Sequence, residues 1–211
     1  FESKAPPAPG SAAPPAGRPL GELVRQPAFA VAVLGAALGY GVMNLLMAAT
    51  PLAMQVCGFS FDSAALVLEW HVIGMFAPGF FTGHLIKRLG TLPVMLVGVV
   101  LNLVCVGIAL SGQEIMHFTA ALFLLGVGWN FLFTGSTTLA ITAYRPEEKD
   151  RAQGAINFFV FATMAVTSLA SGALVTTSGW SWLNLASLPP LLLTGAALLW
   201  LMARQRRAVA A

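Results

Sequence analysis

Charge is what this chain has least of. Its 211 residues include 8 acidic and 11 basic side chains, 3 histidines and 2 cysteines. Two cysteines make no disulfide framework: Cys105 lies inside an apolar run and Cys57 near a gap between runs. Each reads as a small apolar filler. There is no H-E-x-x-H and no Cys/His set at metal spacing, so neither a metal nor another cofactor is expected. No basic stripe is interleaved with aromatics, so the net charge of +3 does not signal nucleic acid. Lys and Arg are absent from every long apolar run. A strongly anionic substrate would find no counter-charge there, which argues against phosphorylated substrates.

What the chain does have is apolar length. It is 57% hydrophobic with a mean hydropathy of +0.81, outside the soluble range. About 20 apolar residues cross roughly 30 Å of hydrocarbon, and six stretches qualify. They are predicted at about Ala28 to Met54, Ser63 to Ile86, Leu92 to Leu110, His117 to Tyr144, Ala152 to Ser178 and Trp182 to Ala203. In hydrocarbon a helix satisfies its own backbone, and these runs are too long for barrel strands. The expected class is therefore an all-α membrane protein.

The basic residues alternate between gaps. Lys4, Arg18 and Arg25 precede the first run; Lys87 and Arg88 follow the second, Arg145, Lys149 and Arg151 the fourth, and Arg204, Arg206 and Arg207 the sixth. By the positive-inside rule both ends of this segment are cytoplasmic. Trp180, Trp182 and Trp200 sit where an aromatic belt belongs. Residues 1–25, rich in Pro and Ala, read as a flexible cytoplasmic linker and the tail of something longer. Residues 26–203 form the membrane domain and 204–211 a basic cytoplasmic tail. Gly35 and Gly39 form a close-packing step, while Pro51, Pro78 and Pro189–Pro190 should kink spans one, two and six.

The halves of the membrane domain resemble each other. Gly39-Tyr40-Gly41 matches Gly126-Val127-Gly128, and at the same offset Leu45, Thr50 and Leu52-Ala53 match Leu132, Thr137 and Leu139-Ala140. With a two-residue slip, residues 82–86 match 171–175. Three crossings per unit make the second copy inverted, the arrangement that marks secondary transporters.

The loop after span two, Gly83-His84-Leu85-Ile86-Lys87-Arg88-Leu89-Gly90, resembles the G-x-x-x-D-[RK]-x-G signature loop of the major facilitator superfamily. Gly83, Arg88 and Gly90 fit it, and Lys87 stands where that family prefers Asp. The run Arg145 to Gly154 is similar to the family's loop before the fifth helix of a half. The resemblance implies the second six-helix half of a facilitator: two inverted three-helix repeats, joined through the linker to a missing N-terminal half. It further implies alternating-access transport of a small organic solute and a multi-pass location in a bacterial inner membrane. Protons and the lipid bilayer are its other expected partners.

Two ionisable side chains, Glu69 and His71, lie well inside a span, where charge costs roughly 2.5–3.5 kcal/mol. Two residues apart on a helix, they face different ways: His71 with Met75, Pro78 and Thr82, Glu69 with Val72 and Phe76. Both are candidates for proton coupling. Tyr40 and Asn44 on span one, Trp129, Asn130 and Thr134 on span four, and Asn157 and Phe161 on span five complete the expected pathway with His71 and Met75. By the resemblance, spans one, two, four and five line it. The mixture suits a weakly charged solute with a flat apolar body; interhelical hydrogen bonding is the competing role for the same side chains. A hydrolase using Ser136 or Ser171 with His71, or a six-helix channel, are the alternatives, but neither G-x-S-x-G nor Asn-Pro-Ala occurs.

Overall fold

Continuous apolar runs without water leave the backbone one economical solution, and the chain adopts it throughout. The computed structural model describes residues 17–210. The elements are α1 (Leu20–Val24), α2 (Pro27–Val56), α3 (Phe61–Phe76), α4 (Gly79–Leu89), α5 (Thr91–Ser111), α6 (Ile115–Ile141), α7 (Lys149–Thr177), α8 (Gly179–Ala186) and α9 (Leu188–Ala210). Six helical runs are long and apolar enough to cross a membrane: α2, α3 with α4, α5, α6, α7, and α8 with α9. Their ends fall within three residues of the sequence expectations, except that α9 continues to Ala210 and takes up the basic tail. This is the half-fold expected of a facilitator.

Local chemistry sets the boundaries. Pro27 opens α2 at a first-turn position where its missing N–H costs nothing. Ser60 caps α3, its hydroxyl accepting from Ser63 N at 3.2 Å. Gly90, at φ 92°, both ends α4 and starts α5, a left-handed conformation that excludes most side chains. Pro78 does interrupt span two, between α3 and α4. Span six breaks at Ser187, with Pro189 and Pro190 in the first turn of α9. Pro51 departs from expectation: α2 runs through it unbroken, and Thr50 donates to Leu46 O at 2.7 Å. Trp180 departs as well. It is buried and donates to Ala109 O at 3.0 Å, whereas Trp182 and Trp200 are exposed.

The helices pack as the repeat requires. α2 contacts α6, α7 and α9; α6 contacts α2, α3 and α5; α5 contacts α9. Exchanging spans one, two and three for four, five and six maps this pattern onto itself. Glycines allow the approach. A Cβ on Gly126 would lie 2.5 Å from His71 O, and one on Gly74 2.5 Å from Phe123 O, so α3 and α6 meet backbone to backbone. Gly35 and Gly39 of the close-packing step face Ser136 and Leu132 of α6.

Among the described residues the basic end carries one ionic clasp. Arg18, in the stretch expected to be linker, forks onto Glu148 through Nε (2.8 Å) and Nη2 (2.7 Å), and its own N–H donates to the same carboxylate at 2.8 Å. Arg145 N adds a bond of 2.9 Å, and Arg151 Nη1 donates to Arg18 O at 2.6 Å. Leu23 of α1 is buried, so residues from Gly17 onward pack on the helical body. The rest of the expected linker, residues 1–16, lies outside the described residues, as does Ala211. Glu148 sits in the turn Pro146–Glu148 ahead of α7. The Arg18 guanidinium, then the Arg145 N–H, hold its carboxyl well below the ordinary range, against an opposing effect of burial.

A depressed folded-state pKa contributes stability that is complete above the unfolded value, about 4.3, and fades as pH falls below it. Thermal melting of the protein and its Glu148→Gln variant from pH 8 to pH 3 should show a constant gap down to about pH 5. The gap should narrow below about pH 4, where the carboxylate of the unfolded chain takes up a proton while the native one, held well below its ordinary range, stays ionised.

Candidate functional site

An aromatic cluster stands at the middle of the bundle, where spans one, two and four meet. Trp129 and Phe133 are one turn apart on α6 and stack at 5.2 Å with planes 8° apart. Tyr40 of α2 meets both edge-on, at 5.4 Å and 5.7 Å. It reaches them because Gly39 beside it lets α2 close on Leu132. Phe76, the last residue of α3, meets Trp129 edge-on at 6.4 Å. Edge-to-face and stacked pairs are each worth about 0.5–1.5 kcal/mol beyond area burial. Tyr40 and Trp129 lie 13 and 14 residues into their helices, so the cluster is about 20 Å from either end.

The cluster is closed on one side and open on the other. Trp129 is 7% exposed and Phe76 63%. Among the described residues Trp129 Nε1 has no hydrogen-bond partner, though indoles buried in proteins usually find one. The indole N–H is itself enclosed, so the face that the cluster leaves open is that of Phe76, an apolar wall suited to a planar solute.

The expected polar lining divides. Asn44 turns its amide into the α2–α7 contact, donating to Met164 O (3.3 Å), Thr167 Oγ1 (3.0 Å) and Ser168 Oγ (2.9 Å). Asn130 donates to Met75 O at 2.7 Å, while Thr82 Oγ1 lies 2.7 Å from its Oδ1. His71 is fully buried against α6, its Nδ1 2.7 Å from Leu122 O, a contact that places the proton on Nδ1. Met75 is buried beside it in sequence on the same face. These four therefore occupy helix–helix contacts rather than an open pathway. In a bilayer, backbone carbonyls and amides supply the attraction that the hydrophobic effect does not.

Thr134 is half-buried; Asn157 and Phe161 are exposed one turn apart on α7. Glu69 is exposed as well, on an open groove of about 590 Å³ that it lines with Ala65, Leu68, Val72 and Ile73. Phe76 lies two helical turns further along α3, about 10 Å away along the axis. Among the signature-loop residues, Gly90 has a conformational role. Arg88 is exposed in the last turn of α4, and Gly83 has open space around it. Among the described residues the hydrolase arrangement is not formed: Ser171 Oγ donates to Ser168 O at 2.8 Å, Ser136 Oγ is buried without a partner, and His71 meets neither.

Phe76 lies on Glu69's face of α3, as expected from the sequence, but was not expected to line the pathway. The glycines Gly74 and Gly126 are the signal, because they bring α3 and α6 together two residues before Phe76.

Comparison with known proteins agrees with the six-span fold. Residues 29–211 match the family model described as Major Facilitator Superfamily. The chain is 45% identical over 168 residues to the riboflavin transporter RfnT of Brucella anthropi, covering 80% of this chain and 42% of that protein. It is 31% identical over 146 residues to the uncharacterized MFS-type transporter YdeG of Bacillus subtilis, covering 68% of this chain and 34% of the relative. A second protein of Bacillus subtilis, the uncharacterized MFS-type transporter YddS, is 27% identical over 147 residues, with 69% and 34% covered. The chain thus spans less than half the length of these relatives. Six apolar spans packed as an inverted repeat, and a family match across all six, have one explanation: the chain belongs to the Major Facilitator Superfamily.

Proposed function

We propose that this chain is the C-terminal six-helix half of a secondary transporter whose solute is riboflavin or a closely related flavin. The observation that carries this is the mid-bundle cluster of Tyr40, Phe76, Trp129 and Phe133, open at Phe76. A flavin has a flat, uncharged ring system, which matches an aromatic wall. The absence of Lys and Arg from the described spans suits a solute without phosphate. The likeness to a riboflavin transporter supports the same solute.

In this account the partner half supplies the opposite wall, and alternating access carries the solute across. The distribution of basic residues supports an orientation with both ends of this segment in the cytoplasm, and the bacterial relatives support a bacterial inner membrane. Glu69 is the better placed of the two ionisable residues for proton coupling. It faces an open groove, whereas His71 is enclosed between α3 and α6.

Stacking of one ring on an aromatic side chain is worth about 1–3 kcal/mol, and about 1.4 kcal/mol is tenfold in affinity. In proteoliposomes of the full-length transporter, riboflavin uptake should therefore show a KM about tenfold higher in Trp129→Leu. Uptake unaffected by that change, or no riboflavin uptake by the wild type, would reject the assignment. Glu69→Gln should flatten the pH dependence of net uptake while leaving riboflavin counterflow intact; a wild-type pH profile in that variant would remove Glu69 from the coupling.

A further inference from the structure

Span two is broken, and the break is bridged from another helix. Pro78 has no N–H to continue the ladder of α3. Among the described residues no backbone N–H of α4 reaches Met75 O across the gap. Asn130 of α6 does so instead: its Nδ2 donates to Met75 O at 2.7 Å. Its Oδ1 lies 2.7 Å from Thr82 Oγ1, a hydroxyl shared with Pro78 O at 2.8 Å. One amide thus holds the last turn of α3 and the first turn of α4 together.

Two further facts show what depends on it. Thr82 is the one buried residue of α4, so the seating of that helix rests on the side chain that meets Asn130. Phe76 adjoins Met75, whose carbonyl Asn130 holds, and Phe76 is the outer wall of the aromatic cluster. The α3–α6 contact itself has independent support from the Gly74–Gly126 crossing and from His71 on Leu122 O. Removing the amide should therefore free the break without separating the helices.

We infer that Asn130 is a positioning residue: it fixes the geometry of the span-two break through Met75 O and Thr82, and so holds Phe76 at Trp129 to set affinity for a planar solute. The affinity part rests on the flavin assignment above; the positional part does not. Asparagine suits the role because one short side chain offers a donor to the carbonyl and an acceptor to the hydroxyl. Aspartate would lack the donor and leave Met75 O stranded in a low-dielectric setting.

The test uses the full-length transporter with its native cysteines replaced and spin labels at Phe80→Cys and Ile141→Cys, two exposed positions on α4 and α6. The wild type should give one narrow distance distribution, which Asn130→Ala and Thr82→Val each broaden and Thr82→Ser preserves. Riboflavin uptake in the unlabelled variants should show KM raised about tenfold with maximal rate within twofold. The double variant should be no worse than either single one. A distribution unchanged by both Asn130→Ala and Thr82→Val overturns the positional part, whatever the solute proves to be. A broadened distribution with an unchanged riboflavin KM overturns the link to affinity. Should Asn130→Ala fail to assemble, Thr82→Val against Thr82→Ser decides alone.

Discussion

Backbone contact at α6 is the constraint on which the rest of this bundle depends. In lipid the helices gain nothing from hiding apolar surface from one another, so association rests on close packing and interhelical hydrogen bonds. Gly126 brings α6 onto α3, Gly128 onto Asn102 of α5, and Gly35 and Gly39 bring α2 onto α6. A methyl group at Gly126 or Gly74 would meet a backbone carbonyl, which cannot swing aside as a side-chain tip can. Because α6 touches α2, α3 and α5 at once, one tight seam sets the separations of several helices. The aromatic cluster inherits those separations: Tyr40 and Phe76 reach Trp129 only because their helices come this close.

Polar side chains then fix what the glycines allow. Asn44 and Asn130 are near counterparts in the inverted repeat, and each spends its amide on the neighbouring span. Asn44 binds α7 from α2, and Asn130 binds α3 and α4 from α6. A bond of this kind is worth about 0.6 kcal/mol on average in membrane proteins, so direction matters more than strength. The amides choose the rotation and register of helices whose surfaces are otherwise uniformly apolar. What they leave uncovered is Phe76 at the edge of the aromatic cluster, and an acidic side chain two turns along the same helix.

Much of this was legible in the sequence because it follows from one-dimensional rules. Span lengths, the alternation of Lys and Arg, the Pro78 break and the Gly35–Gly39 step all depend on spacing along the chain. Tyr40 and Trp129 were legible as candidates because they lie with amides on spans that the family resemblance makes pathway-lining. The roles of Asn44, Asn130 and His71 were not. A buried amide serves a substrate and a neighbouring carbonyl with the same chemistry, and only the path of the next helix decides which it meets. Phe76 escaped because a helical wheel, which rightly places it on the exposed face with Glu69 and Val72, does not show that Trp129 of α6 lies within reach. Arg18 escaped because its partner lies 130 residues away, in a loop whose mixed charges show no preference for it.

The central claim is that a flavin ring seats against Trp129. Flavin emission reports this directly, since an indole in contact with the excited ring quenches it. Riboflavin would be titrated into the full-length protein, and its emission lifetime compared between wild type and Trp129→Leu at saturation. The account predicts a strongly shortened lifetime in the wild type that lengthens markedly in the variant. Bound riboflavin with the same lifetime in both proteins would contradict it.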